Sequence, residues 1–194
     1  MRIAVLGAGR VGTTLGGGWA ANGHDVVYGV RDPADPRHAG LGSAAVPAHA
    51  VREADAVVLA LPWAAVEDVV RGLDLSGTVV IDATNPLGAA GEASGAERIA
   101  AWAPGARVVK AFNTTGFENM ADPDYPGGKA MMLVAGDDSG AKETALSLAA
   151  ELGFDAIDAG PLPGARELES LAALWIRLAR SGHGRGVAFA LLRR

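Results

Sequence analysis

The chain has 194 residues, 49% of them hydrophobic, with a formal net charge of −5 and no cysteine. That is enough apolar material for a core without covalent staples, and it excludes thiol nucleophiles, thiolate metal sites and disulfides. Acidic and basic residues are scattered, with no basic stripe of the kind nucleic-acid binding requires.

The elements follow in alternation. Arg2 to Leu6 is a short apolar run that reads as a buried strand, and it enters a glycine loop at once. This leaves no room for a signal peptide, so a cytoplasmic location is expected. A helix is predicted over Val11 to Asn22, stopped by Gly23, then a strand over Asp25 to Val30. A polar, proline-containing stretch runs from Arg31 to Gly42, and a short helix lies around Ala48 to Glu53. Ala56 to Leu61 is a clear strand stopped by Pro62, followed by a helix over Trp63 to Arg71, a strand over Thr78 to Ile81 and a helix over Glu92 to Trp102. Arg107 to Phe112 is the next strand. Short links between alternating strands and helices argue an α/β, Rossmann-type, doubly wound, mostly parallel sheet.

Beyond Gly116 the pattern changes. Met131 to Ala135 and Asp155 to Asp158 read as strands flanking a helix over Ser139 to Leu152, and a longer helix runs from about Arg166 to Arg180. Leu168, Leu171, Trp175 and Leu178 fall on one stripe of it, with Ala172, Ile176 and Ala179 beside them. A stripe this wide leads us to expect a homodimer. A last short apolar helix is predicted up to Arg193 and Arg194. Residues 1–116 are thus a dinucleotide-binding domain, and residues 117–194 a sheet extension and helical cover completing the same globule and cleft. No run of about 18 apolar residues is present, so no membrane span is expected.

Gly7-Ala8-Gly9-Arg10-Val11-Gly12 matches the G-x-G-x-x-G loop between a first strand and a helix. Gly7 permits the turn, Gly9 lets the backbone approach a pyrophosphate, and Gly12 allows helix to pack on strand. The anion then rests on free N–H groups at the helix start. At the end of the second strand two residues compete. Asp32 has the spacing of an acid for the ribose 2′-hydroxyl, whereas Arg31, next to Val30, can fork onto a 2′-phosphate. Arg10 and Arg37 add charge nearby, and the reading favours NADP(H) over NAD(H). Three further strand ends supply pocket loops: Leu61-Pro62-Trp63, Thr84-Asn85-Pro86, and Phe112-Asn113-Thr114. No acid–base pair, His-Glu-x-x-His motif or metal cluster stands out, and the four histidines read as surface residues. Lys110 offers a general acid or a structural ion pair, the second being the default.

With these loops in hand, the chain resembles the deazaflavin (coenzyme F-420)-dependent NADP oxidoreductase family. The resemblance rests on the glycine loop, Val30-Arg31, Leu61-Pro62-Trp63, the segment from Lys110 to Gly116, Asp158 to Leu162, and Leu168 to Ile176. It implies that NADP(H) lies in the Rossmann cleft with a deazaflavin stacked on the nicotinamide. Gly9, Arg10 and Val11 would hold the pyrophosphate, Arg31 the 2′-phosphate, and Leu61, Asn85 and Phe117 the rest of the dinucleotide. Asn113 and the stretch from Gly182 to Gly186 would lie near the second ring. The chain departs from the family pattern at several positions: its glycine loop is one residue shorter, Val30 stands where a serine is expected, no lysine follows Arg31 within a few residues, and Asn113 and its neighbours differ. A related module serves membrane ferric reductases, so a flavin or ferric acceptor is a second expectation. A non-catalytic NADP(H) sensor is a third.

Overall fold

The computed structural model describes residues 1–88, 92–192 and 194. In chain order the strands are β1 (Arg2–Leu6), β2 (Asp25–Gly29), β3 (Ala44–Ala45), β4 (Ala56–Leu59), β5 (Val79–Asp82), β6 (Arg107–Lys110), β7 (Asp124–Tyr125), β8 (Gly128–Lys129), β9 (Met131–Gly136) and β10 (Asp155–Asp158). The helices are α1 (Arg10–Ala21), α2 (Pro47–Ala50), α3 (Trp63–Arg71), α4 (Gly95–Trp102), α5 (Phe117–Ala121), α6 (Ser139–Glu151) and α7 (Ala165–Leu178). Eight strands form one sheet in the order β10-β9-β6-β5-β4-β1-β2-β3. The pairings are parallel except β6 with β9, so the later part of the chain extends the sheet begun by the glycine-loop strand.

The central strands are apolar on both faces, as a sheet covered on both sides requires. Ile3, Val5, Val58, Ile81 and Val109 face α1 and α6 through Leu15, Trp19 and Leu148. Ala4, Leu6, Val57, Val80 and Val108 face α3, α4 and α7 through Val66, Val70, Ile99 and Ala165. Each fully buried aliphatic side chain contributes roughly 1.5–3 kcal/mol. On the parallel sheet this leaves the C-terminal strand ends of β1, β2, β4, β5 and β6 along one edge.

Several expectations shift. The helix expected from Glu92 begins at Gly95, because Ser94 and Glu97 close a capping box at its start. The two-residue β3, the β7–β8 hairpin and α5 carry too little periodicity to be read from sequence. The expected last helix is absent among its described residues, Arg193 lying outside them. Instead Phe189 O accepts from Met131 N at 2.9 Å, and Val187 O accepts from Trp175 Nε1 at 2.6 Å and Asn119 Nδ2 at 2.8 Å. These long-range partners hold the segment extended. Along α7, Leu168, Ala172 and Trp175 are buried by the chain itself, and Leu174 is the large apolar residue left outside, 41% exposed.

Candidate functional site: the C-terminal edge of the sheet

The three loop glycines are bare for different reasons. Gly7 sits at φ +107, and a Cβ there would stand 2.5 Å from Ala60 O. A Cβ on Gly12 would collide with the carbonyl oxygen of Gly7. Packing within the protein therefore accounts for both. Gly9 has an ordinary φ of −78, and a Cβ there would meet nothing within 4 Å. Nothing in the chain's own packing requires glycine at this position, which is exposed next to the cleft-lining Ala8. Helix α1 starts at Arg10, with Gly9 at its N-cap, no side-chain cap and no acidic residue in its first turn, so its leading amides are left for an anion. Ala8 is half-buried on the same rim, and Val11 is half-buried on α1.

Beside this loop lies a cleft of about 610 Å³, lined among others by Gly7, Ala8, Val30, Arg31, Leu61 and Pro62. Val30 forms its buried floor, and Arg31 is exposed at its rim. Asp32 turns back on its own loop, its Oδ1 accepting from Ala34 N at 3.0 Å. Trp63 is not among the residues lining this cleft. It packs on Trp102 with ring centroids 5.5 Å apart, and the Arg98 guanidinium lies 4.9 Å from its centroid. Gly95 makes room for it, since a Cβ there would come within 3.0 Å of the Trp63 ring.

At the ends of β5 and β6 the site is built from buried polar groups. Lys110 and Asp82 are both 0% exposed. Lys110 Nζ donates to Asp82 Oδ2 at 2.8 Å, Thr84 O at 2.7 Å and Glu169 Oε1 at 2.8 Å. Asp82 Oδ1 accepts from Thr84 N at 2.9 Å and from its hydroxyl at 2.6 Å, and Glu169 Oε1 also accepts from Gly95 N at 2.9 Å. With three acceptors on its ammonium, Lys110 is a structural ion pair rather than a free proton donor. Asn85 Nδ2 donates to Asn113 O at 2.9 Å. Asn113 Nδ2 donates to Asn85 Oδ1 at 3.0 Å and Leu168 O at 3.1 Å. Its buried Oδ1 has no partner.

A second cavity of about 320 Å³ opens beside this network, lined in part by Asn85, Pro86, Arg98 and Glu169. Phe112, expected at the acceptor, is instead 1% exposed and packs edge-on against Trp19 at 5.5 Å. A left-handed φ of +57 turns it into the core. Thr114 is buried as well. Phe117 lies between two guanidinium groups, Arg10 at 5.2 Å and Arg185 at 5.5 Å from its centroid. Arg185 also pairs with Glu118 at 2.6 Å, and that hydrogen bond holds the Glu118 carboxyl below its ordinary value. Gly186 is exposed, with open space where a Cβ would stand.

Sequence reasoning missed Glu169 as a member of the site. Its spacing, four residues after Ala165 and three before Ala172, was the available signal, because it puts a carboxylate at the edge of the buried stripe, where a charge needs a partner. Among the described residues no group of acidic and histidine side chains could hold a metal, and no helix is long and apolar enough to cross a membrane.

Residues 2–86 match the family described as NADP oxidoreductase, coenzyme F-420-dependent. A crystal structure of a candidate F-420-dependent NADP reductase from Arthrobacter sp. FB24 is 31% identical, covers 100% of both chains and superposes with a TM-score of 0.86. A hypothetical protein from Sinorhizobium meliloti is 30% identical with a TM-score of 0.74, covering 85% of this chain and 87% of its own. The Aspergillus terreus reductive aminase in complex with NADPH4, cyclohexanone and allyl amine shares the fold at 22% identity and a TM-score of 0.70, covering 92% of this chain and 61% of its own. The metalloreductase STEAP3 of Rattus norvegicus is 30% identical over 179 residues, 88% of this chain, which spans 36% of that protein. The chain belongs to the coenzyme F-420-dependent NADP oxidoreductase family.

Proposed function

We propose that the chain binds NADP(H) along this edge and exchanges hydride between the nicotinamide and a deazaflavin of the coenzyme F-420 type. The observation that carries the reading is Gly9, bare although nothing in the protein crowds it, directly before the uncapped start of α1. The amides of Gly9, Arg10 and Val11 would take the pyrophosphate, Arg31 the 2′-phosphate, and Val30, Leu61 and Pro62 the adenosine half. The other half would then extend over β4 towards Thr84, Asn85, Pro86 and Asn113, with the acceptor entering beside Phe117 and Gly186.

Bound there, the nicotinamide supplies or takes up a hydride, a step that needs two ring carbons about 3–3.5 Å apart and no protein nucleophile. The chain's own work is to place the rings and exclude water, which suits a site whose buried lysine is fully engaged. Stopped-flow absorbance with NADPH and oxidised deazaflavin tests this: bleaching of the acceptor band is expected, and its absence overturns the acceptor assignment. The likeness to STEAP3 favours a second reading, a flavin or ferric chelate as acceptor, which relative turnover in acceptor competition separates from the first. NADPH binding without turnover on any acceptor would point to a sensor instead.

A further inference from the structure

The cleft of about 610 Å³ is also lined by Asp35, Arg37 and His38, and its rim carries two arginines in different states. Arg31 has no ion pair among the described residues. Arg37 is bound by its neighbour: its Nε donates to both oxygens of Asp35, at 3.1 and 3.0 Å, and its Nη2 donates to Oδ2 at 2.6 Å. The side-on edge of the guanidinium is filled, although the Arg37 side chain is 82% exposed. Arg31, Asp32, Asp35 and Arg37 together bring two formal positive and two formal negative charges. A dianion arriving at this rim meets one available cation and one that is already matched.

We propose that Asp35 is a specificity-determining residue of this cleft, whose carboxylate withholds Arg37 from a 2′-phosphate and repels that group, so tempering selection of the phosphorylated dinucleotide over the unphosphorylated one. The inference rests on the reading that the cleft takes NADP(H). Hydrogen bonds from Arg37 hold the Asp35 carboxyl down at about 2, so the charge is present at neutral pH. An exposed pair of this kind is weak and opens readily, whereas an arginine–phosphate pair is charge-assisted and directional. When Arg37 turns to a phosphate, however, Asp35 is left as an unmatched anion beside a dianion.

The same carboxylate has a structural duty. Its Oδ1 accepts from Arg37 N at 2.9 Å and caps the turn Pro36–His38. Asparagine caps as well as aspartate, so Asp35→Asn removes the charge and keeps the turn. A purely structural role predicts no change in that variant.

The test is calorimetric titration of the full chain and of Asp35→Asn with NADPH and with NADH at one ionic strength, alongside thermal melts. Asp35→Asn is expected to tighten NADPH about three- to tenfold, leaving NADH within about twofold and the melting temperature unchanged. The pair 2′,5′-ADP and 5′-ADP should repeat the pattern, which isolates the adenosine end. Unchanged or weaker NADPH binding, or an equal gain for both dinucleotides, overturns the proposal. If the unsubstituted chain binds neither dinucleotide, the cofactor reading itself fails and this inference falls with it.

Discussion

At the β1–β2 end of the sheet edge, Arg31, Asp32 and Arg37 stand in solvent on a loop. At the β5–β6 end, Asp82, Lys110, Thr84 and Asn113 are buried, and α7 grips them through Leu168 O and Glu169. The first end is suited to selecting by charge, because exposed groups can turn and are tuned by single substitutions. The second is suited to holding position, because buried charges tolerate only one arrangement. Under the proposed function, recognition and placement would be divided between two kinds of material along one edge.

Breaking the buried end should give the largest effect. Lys110→Met leaves Asp82 and Glu169 beneath the loop without a cation, and urea unfolding is expected to show a loss of about 3–5 kcal/mol. A loss under about 1 kcal/mol would mean that this end is no more rigid than the other. At the exposed end, Arg31→Ala should leave stability intact and weaken NADPH about 10–100-fold in titration, with NADH little changed. Equal losses would show that Arg31 does not read a phosphate.

The glycine loop sharpens the contrast within six residues. Gly12→Ala drives a methyl into the Gly7 carbonyl and should lower stability by about 1–3 kcal/mol in urea unfolding. Gly9→Ala meets no protein atom, so it should melt as the parent does while binding NADPH about tenfold more weakly. Unimpaired binding would remove the main support for a dinucleotide there.

The smallest effect concerns the clasp beside the buried end. Glu97 is held at about 2, against an ordinary 4.5, chiefly by the hydrogen bond from Arg166. A depressed carboxyl stabilises the fold fully above its unfolded value and less as pH falls towards the folded one. Arg166→Ala should therefore flatten the acid loss of stability between pH 4.5 and 2, followed by melting temperature across that window. An unchanged slope would show that the clasp contributes nothing.

Much of this was readable in the chain. The helix Trp63–Arg71 agrees to the residue, since Pro62 and Gly72 punctuate both ends of it. The glycine loop was legible because its neighbours in sequence are its neighbours in space. The partners of Lys110 were not, because Glu169 lies 59 residues away and no local pattern brings them together. Phe112 misled for a related reason. Its place after a strand suggested the cleft, while one left-handed φ and the pull of Trp19 decide which way it faces. The segment around Val187 carries an apolar pattern that fits a helix, yet Trp175 and Asn119 capture its carbonyl.

The first helix has a consequence for how the chain matures during translation. Trp19 Nε1, deep in the core, donates to Leu148 O at 3.0 Å, and Asn22 and His24 reach Glu151 at 3.0 and 2.6 Å. A nascent chain that has emerged only as far as the end of β6 owns the glycine loop but lacks the wall against which that loop's helix rests. Synthesis must pass residue 151 before the earliest helix finds its seat.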